Sequence, residues 1–300
     1  MPAHIIGIRR ARVFSPNSVE RDALIAQAVA HELEARAQCT VQLVCEEELC
    51  HMPPPVGCAG VFSMARGAGA LQWLRGVQAQ GVPVVNAPDA VAAATRRRID
   101  SLSRVLGVPR PHCVAGGPET AAEDWCTGFP CWLKRDDGCA QQQADVVYCA
   151  DGAALREALH HLRSQGVEHW VAEQHVAGDV LKFYGVLHTP FFYVAGGALA
   201  YSKFGHEAIN GAYQGYAYSA SALERHARAL AEALGIEVFG GDAVITPGGE
   251  ALIIDFNDWP SFSSCRSQAA ASIVSRIINR MGLSTGLEGS DLPAPPDTGE

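Results

Sequence analysis

The first ninety residues of this 300-residue chain alternate short apolar runs with stretches of helical periodicity, and that alternation limits its architecture most. Residues 4–8 read as a first strand. Ser18 stands where a helix cap belongs, ahead of Leu24, Ile25, Val29 and Leu33 at helical spacing, which predicts a helix to about Gln38. Residues 40–44 and 60–64 read as strands, 68–80 as a helix and 82–85 as another strand. Such alternation implies a mostly parallel sheet with helices on its faces.

Asn86-Ala-Pro-Asp89 interrupts the rhythm and marks a boundary. A helix is predicted from about 90 to 106, where Gly107 followed by Pro109 and Pro111 makes a stop. Strands follow at 131–135 and 145–149, with the Asp136-Asp137-Gly138 turn between them, and then a helix over 152–165. Residues 170–175 and 182–187 read as strands separated by Ala177-Gly178-Asp179, and 191–200 as a further strand. A helix over 219–234 stops at Gly235. Residues 238–246 and 251–256 form a hairpin around Pro247-Gly248-Gly249, and a last helix covers 267–281. From Ser284 the chain is acidic and rich in Gly and Pro, the composition of a flexible tail. No internal repeat is visible.

At 48% hydrophobic and 18% charged residues, the chain can bury a sizeable core. Its 23 Lys and Arg against 32 Asp and Glu leave a net charge of −9, which argues against non-specific binding to nucleic acid or an anionic membrane. No apolar run reaches the roughly 18 to 20 residues of a spanning helix. The N-terminal apolar run is too short for a secretory signal, so a soluble, cytoplasmic protein is expected. Ten cysteines are scattered without a CxxC pair. The nearest thing to a zinc cluster, Cys45, Cys50, His51 and Cys58, lacks finger or ribbon spacing, so free thiols are expected.

Three stretches carry the chemistry. The first is Gly240-Gly-Asp242 with Ile253-Ile-Asp255-Phe-Asn257-Asp-Trp-Pro260. Asp255 and Asn257, two apart on a strand, face the same way, and Asp242 on the partner strand can meet them. Three such oxygens suit Mg²⁺, which takes the rest of its shell from water and phosphate. The plainer account is a pair of surface carboxylates beside a turn-forming Asn. The second is Cys131-Trp-Leu-Lys134-Arg135, where Lys134 ends an apolar strand within reach of a phosphate, although many strands end in a solvated lysine. Trp132 is expected on the opposite face, as core. The third is Val171-Ala-Glu173-Gln-His175-Val176-Ala-Gly-Asp179-Val-Leu-Lys182, a strand, turn and strand whose backbone groups can read a base edge.

Taken together and in this order, the stretches resemble the ATP-grasp superfamily over almost the whole chain. The segment from Gly240 to Phe262 looks like the metal hairpin of ATP-grasp carboxylate–amine ligases and of ATP-grasp inositol phosphate kinases alike, and 172–186 is similar to the hinge of both. Residues 94–111 resemble the helix that brings a first basic residue to the nucleotide. The resemblance implies an α/β fold in which an N-terminal parallel lobe, roughly 1–88, precedes two lobes, 89–170 and 171–283, that clasp ATP, with a tail over 284–300. It implies that Asp242, Asp255 and Asn257 bind Mg²⁺ or Mn²⁺ and that Lys134 touches the α- and β-phosphates. It also implies that Glu173 accepts from the adenine amino group, that the backbone of His175 and Val176 reads the ring, and that Asp179 lies near the ribose and Lys182 near the phosphates. Arg96 or Arg97 takes the place of the first basic residue, Arg96 having the better spacing. Two departures stand out: residues 136–143 are poorer in Gly and Ser than the usual phosphate-covering loop, and Pro260-Ser261 replaces a common Pro-Gly.

The function implied is an Mg-ATP-dependent, ADP-forming ligation of a small carboxylate to an amine through an acylphosphate. The charge over the transferring phosphoryl group would come from the cation, Lys134, Lys182 and Lys203, and residues 201–218 would close as a lid against water. A small-molecule kinase acting on a hydroxyl is the alternative, and a non-catalytic nucleotide-binding protein a third. Arg266 reads equally well as a clamp for a substrate carboxylate and as an exposed arginine. Cys265 and Ser261, Ser263 and Ser264 either hold the second substrate or cap the last helix. Arg66 stands where loops of the first lobe often face the acceptor. A homodimer through the first lobe is a habit of such relatives.

Overall fold

Ile5 and Ile6 point to opposite faces of the first strand and both are buried, so the sheet they belong to is covered on both sides. The computed structural model describes residues 2–53, 55–118, 120, 128–137, 140–197 and 209–285. The strands β1 (Ala3–Arg9), β2 (Cys39–Cys45), β3 (Cys58–Ser63) and β4 (Val84–Val85) pair in parallel in the order β2-β1-β3-β4. Helix α1 (Val19–Arg36) covers one face through Ile25, Val29 and Leu33, and α2 (Ala68–Ala79) covers the other through Leu71, Leu74 and Val77. Ser18 occupies the N-cap of α1, but its hydroxyl accepts from Arg21 at 2.9 Å and caps no amide.

The single helix expected over 90–106 is two: α3 (Pro88–Ala93) and α4 (Arg96–Leu106). The break falls at Thr95, whose hydroxyl accepts from the Arg98 amide at 3.2 Å and so starts a new helix where periodicity alone ran through. Gly107 ends α4 in the left-handed conformation, as its position foretold.

Two antiparallel sheets follow. The first contains β5 (Cys113–Gly116), β6 (Cys131–Arg135), β7 (Val146–Cys149) and β8 (Trp170–Gln174) in the order β5-β8-β6-β7. Helix α5 (Gly152–Ser164) buries Leu155, Leu159 and Leu162 against Cys131, Leu133 and Trp170 on one face of it. Strand β5, just past the proline-rich exit of α4, has no counterpart among the expected strands. The second sheet contains β9 (Asp179–Val186), β10 (Phe192–Gly196), β11 (Val238–Ile245) and β12 (Ala251–Asp258) in the order β10-β9-β11-β12. Helix α6 (Ala220–Leu234) covers it, Leu223, Ala227 and Leu230 packing with Phe183, Phe239, Phe256 and Ile99 of α4. Each sheet thus has one face sealed by a helix, and its other face carries the polar residues singled out above.

The last helix, α7 (Arg266–Met281), returns to the first sheet. Its Ile273, Val274 and Ile277 share a core with Ile25, Val29, Leu33 and Phe62, and Arg36 donates to the Ala271 carbonyl and the Ser275 hydroxyl. Thr285 bridges to Ala37, so the expected tail begins in paired backbone; residues 286–300 lie outside the described ones. Among the described residues no helix is long and apolar enough to cross a membrane.

Candidate functional site

The hairpin of β11 and β12 places Asp242 directly opposite Asp255, and on its other side Asp242 faces Lys182 of β9. Three neighbouring strands thereby bring two carboxylates and an ammonium to one face. Lys182 Nζ lies 2.7 Å from Asp242 Oδ1, and Asn257 Nδ2 donates to Asp255 Oδ2 at 3.3 Å, which keeps the amide oxygen of Asn257 as an acceptor. Burial lowers the tendency of Lys182 to carry charge, but Asp242, Tyr184 and Asp255 outweigh it, so its pKa rises. Burial likewise pushes Asp255 up, yet Arg96, Lys134, the Asn257 hydrogen bond and Arg110 together hold its carboxyl below the ordinary value.

A register shift follows Asp242, where Ala243 pairs with Ile253, so Ile254 is the extra residue of a bulge. Its carbonyl is turned out of the ladder and accepts from Lys134 Nζ at 2.9 Å. Gly241 permits the close approach, since a Cβ there would lie 2.2 Å from the Asp255 carbonyl oxygen and 2.5 Å from the Phe183 ring. The same lysine ammonium is 2.8 Å from Glu173 Oε1, and Arg110 is 3.0 Å from the other Glu173 oxygen. Both carboxylate oxygens of Glu173, a residue 2% exposed, are therefore engaged by cations. Arg96 donates to the Arg135 carbonyl at 2.7 Å and approaches Asp255 to 3.6 Å. Arg97 instead lies against Asp136 and Gly116, so the structure brings Arg96, and not Arg97, to Asp255.

Asp179 accepts from the amides of Gln214 and Tyr216 at 2.7 and 2.8 Å, so it pins the segment before α6 to the start of β9. The amide of His175 donates to the Pro130 carbonyl, and its Nδ1 receives the indole N–H of Trp132 at 3.1 Å. Val176 is half-buried in the β8–β9 turn. Trp132 is not on the far side of the strand from Lys134: residues two apart on a strand share a face, and the core neighbour is Leu133 between them. Trp132 packs edge-on to Tyr148 on the same face as Lys134 and Glu173. Arg266 is half-buried at the first position of α7 with an unpartnered Nε. Lys203 and residues 201–208 of the expected lid lie outside the described residues. No three of His, Cys, Asp and Glu gather at metal distance among the described residues, which removes the Cys45, Cys50, His51 and Cys58 cluster.

The residues present fit a hard divalent cation in one way. Asp242, Asp255 and Asn257 offer only oxygens, two of them charged, and leave the rest of the shell to water or phosphate. Arg110 escaped the reading of the sequence because it lies inside Gly107-Val-Pro-Arg-Pro, where it looked like part of the helix stop. Arg10, which crosses to the end of β12, had no local signal at all.

No family model matches this chain, and no curated protein matches it by sequence. Solved structures do match its fold. The D-alanyl-alanine synthetase A of Vibrio cholerae O1 biovar eltor superposes with a TM-score of 0.72 at 10% identity, covering 94% of this chain and 99% of that one. The D-alanine-D-alanine ligase of Coxiella burnetii gives 0.67 at 12% identity, over 93% and 96%. A RimK domain ATP-grasp protein of Sphaerobacter thermophilus gives 0.62 at 18% identity, over 92% and 100%. The chain has the ATP-grasp fold.

Proposed function

We propose that this protein is an Mg-ATP-dependent, ADP-forming ligase that joins a small carboxylate to an amine. The observation that carries the reading is the Asp242–Asp255 pair with Asn257, set on the open face of one antiparallel sheet and joined by Lys134 to the open face of another. Two of the structural neighbours are by name a D-alanyl-alanine synthetase and a D-alanine-D-alanine ligase, and ligation of that kind unites a carboxylate with an amine. In this reading residues 1–88, 89–170 and 171–283 are the three lobes.

The carboxylate of the first substrate takes the γ-phosphoryl group, releasing ADP, and the amine of the second then displaces phosphate. Magnesium held by Asp242, Asp255 and Asn257 supplies positive charge to the phosphate oxygens. Arg96 and Lys134 hold the nucleotide phosphates, and Lys182 turns from Asp242 towards them; fixed charges in a site closed to water stabilise the transferring group far better than mobile solvent does. Glu173, His175, Val176 and Asp179 line the base and ribose end. Arg266 orients a substrate carboxylate.

The test is ADP release from Mg-ATP across a panel of amino acids, small di-acids, amines and polyols, with products weighed by mass spectrometry. A product that needs two co-substrates and has lost water supports the ligase. A single co-substrate that gains one phosphoryl group makes the protein a kinase instead, and absence of Mg-ATP binding by calorimetry overturns both.

A further inference from the structure

Beyond the hairpin itself, a second buried charge cluster joins the first sheet to the end of β12. Arg10, at the exit of β1, has a side chain 6% exposed. Its Nε donates to the Met64 carbonyl at 3.1 Å, and its NH2 donates to the carbonyls of Asp258 and Trp259 at 3.1 and 2.9 Å. The same guanidinium lies 3.4 Å from Asp22 and 3.6 Å from the Asp258 carboxylate. Arg66, after β3, pairs with that carboxylate from another side. Asp258 is 1% exposed, and a carboxylate so buried is tolerated only where cations meet it.

These contacts fall one and two residues beyond Asn257. Trp259 has a φ of 36°, a left-handed conformation that a bulky residue adopts only when its surroundings hold it there. Three contacts hold it. Its amide donates to the Val238 carbonyl, its indole stacks on Phe62 of β3 at 5.8 Å, and its carbonyl is fixed by Arg10. Arg10, just past β1, thus holds the backbone that follows Asn257, and Arg66, past β3, holds the Asp258 side chain.

We propose that Arg10 and Arg66 are positioning residues for the cation site, holding the Asp258–Trp259 turn so that Asn257 stays beside Asp255. The assignment rests on the Mg-ATP reading above. Groups of this kind, one shell away from a metal ligand, commonly change metal affinity about 10- to 100-fold when lost. Arg10→Lys keeps a positive charge near Asp22 and Asp258, but one ammonium cannot reach the three carbonyls that the guanidinium fork bridges.

Calorimetric affinity for a non-hydrolysable ATP analogue, measured with Mn²⁺ and again with EDTA, reads the effect. The expected result for Arg10→Lys and for Asp258→Asn is a gain from Mn²⁺ that falls about tenfold, with the EDTA affinity held within about twofold and the fold kept. Asp258→Asn keeps the side-chain volume, and because it leaves Arg10 and Arg66 short of a counter-charge, circular dichroism of each variant establishes that it is folded before binding is compared. Arg75→Ala, a half-buried arginine of α2 that pairs with Asp89 away from this cluster, is the control. An unchanged gain from Mn²⁺ in both variants overturns the proposal, as does an equal loss with and without metal, which marks a purely structural clamp. Wild-type protein that gains nothing from Mn²⁺ is a different failure, that of the Mg-ATP reading itself.

Discussion

Lys134 of β6 and Glu173 of β8 meet on the diagonal, two positions apart in the register, with 2.8 Å between Nζ and Oε1, and the same ammonium reaches the bulged carbonyl of Ile254 in the other sheet. One side chain therefore both neutralises a buried carboxylate and ties the two sheets of the clasp. Replacement by Met leaves Glu173 with Arg110 alone. The expected cost is about 1.5–3 kcal/mol, the range for a hydrogen bond to a charged group, read from denaturant midpoints, together with a loss of nucleotide affinity of at least about tenfold. Unchanged nucleotide affinity would remove Lys134 from the site.

Asp255→Ala and Asn257→Ala are expected to abolish turnover while leaving the far-ultraviolet circular dichroism intact, because both side chains lie on the face away from the α6 core. Near-wild-type turnover in either variant would show the cation assignment to be wrong.

Stability should also depend on the protonation of His175. Trp132 donates to its Nδ1, and burial lowers its pKa below the ordinary 6.5. The unfolded chain then binds more protons than the folded one between the lowered value and 6.5, so stability falls as the pH drops through that window. Urea unfolding at pH 7.5 and 5.5 should show the loss, and His175→Phe should lessen it. An equal pH dependence in the variant would assign it to other groups.

Gly241→Ala is expected to cost about 1–3 kcal/mol or more, since the new methyl group meets a backbone oxygen and the Phe183 ring and neither can withdraw. Thermal unfolding of the variant tests this; a melting temperature within a degree or so of wild type would mean that the bulge relaxes freely.

Thiol labelling gives an independent check on burial. Among the described cysteines Cys50 is exposed, while Cys131 and Cys149 lie opposite each other with no exposed surface. Burial pushes Cys113 and Cys265 up to about 12. Thiolates are the reactive species, so Cys50 should be alkylated in the native protein and these four only after denaturant. Native labelling of Cys131 would contradict the packing of β6 on α5.

How much of this was legible beforehand follows from the range of each interaction. The hairpin could be read because Asp255 and Asn257 are two apart on a strand and Asp242 lies across a short turn, so local geometry already set their meeting. Glycine stops at 107 and 235 were equally local, and both glycines take up left-handed backbone. Thr95 was harder: a helix broken by a good cap has the same apolar spacing on both sides as an unbroken one.

The sequence by itself determined the order of strands and helices apart from β5 and the break at Thr95, the parallel first sheet, the hairpin and its oxygens, because periodicity, turn residues and caps act over a few neighbours. Only the tertiary structure decided that Glu173 is saturated by Lys134 and Arg110, that Arg96 and not Arg97 reaches Asp255, and that α7 completes the core of the first sheet. It alone brings Arg10 to Asp258, 248 residues away along the chain. Such contacts join residues with no fixed relation in sequence, and which charge finds which partner is settled by how the sheets pack and which charges that packing buries.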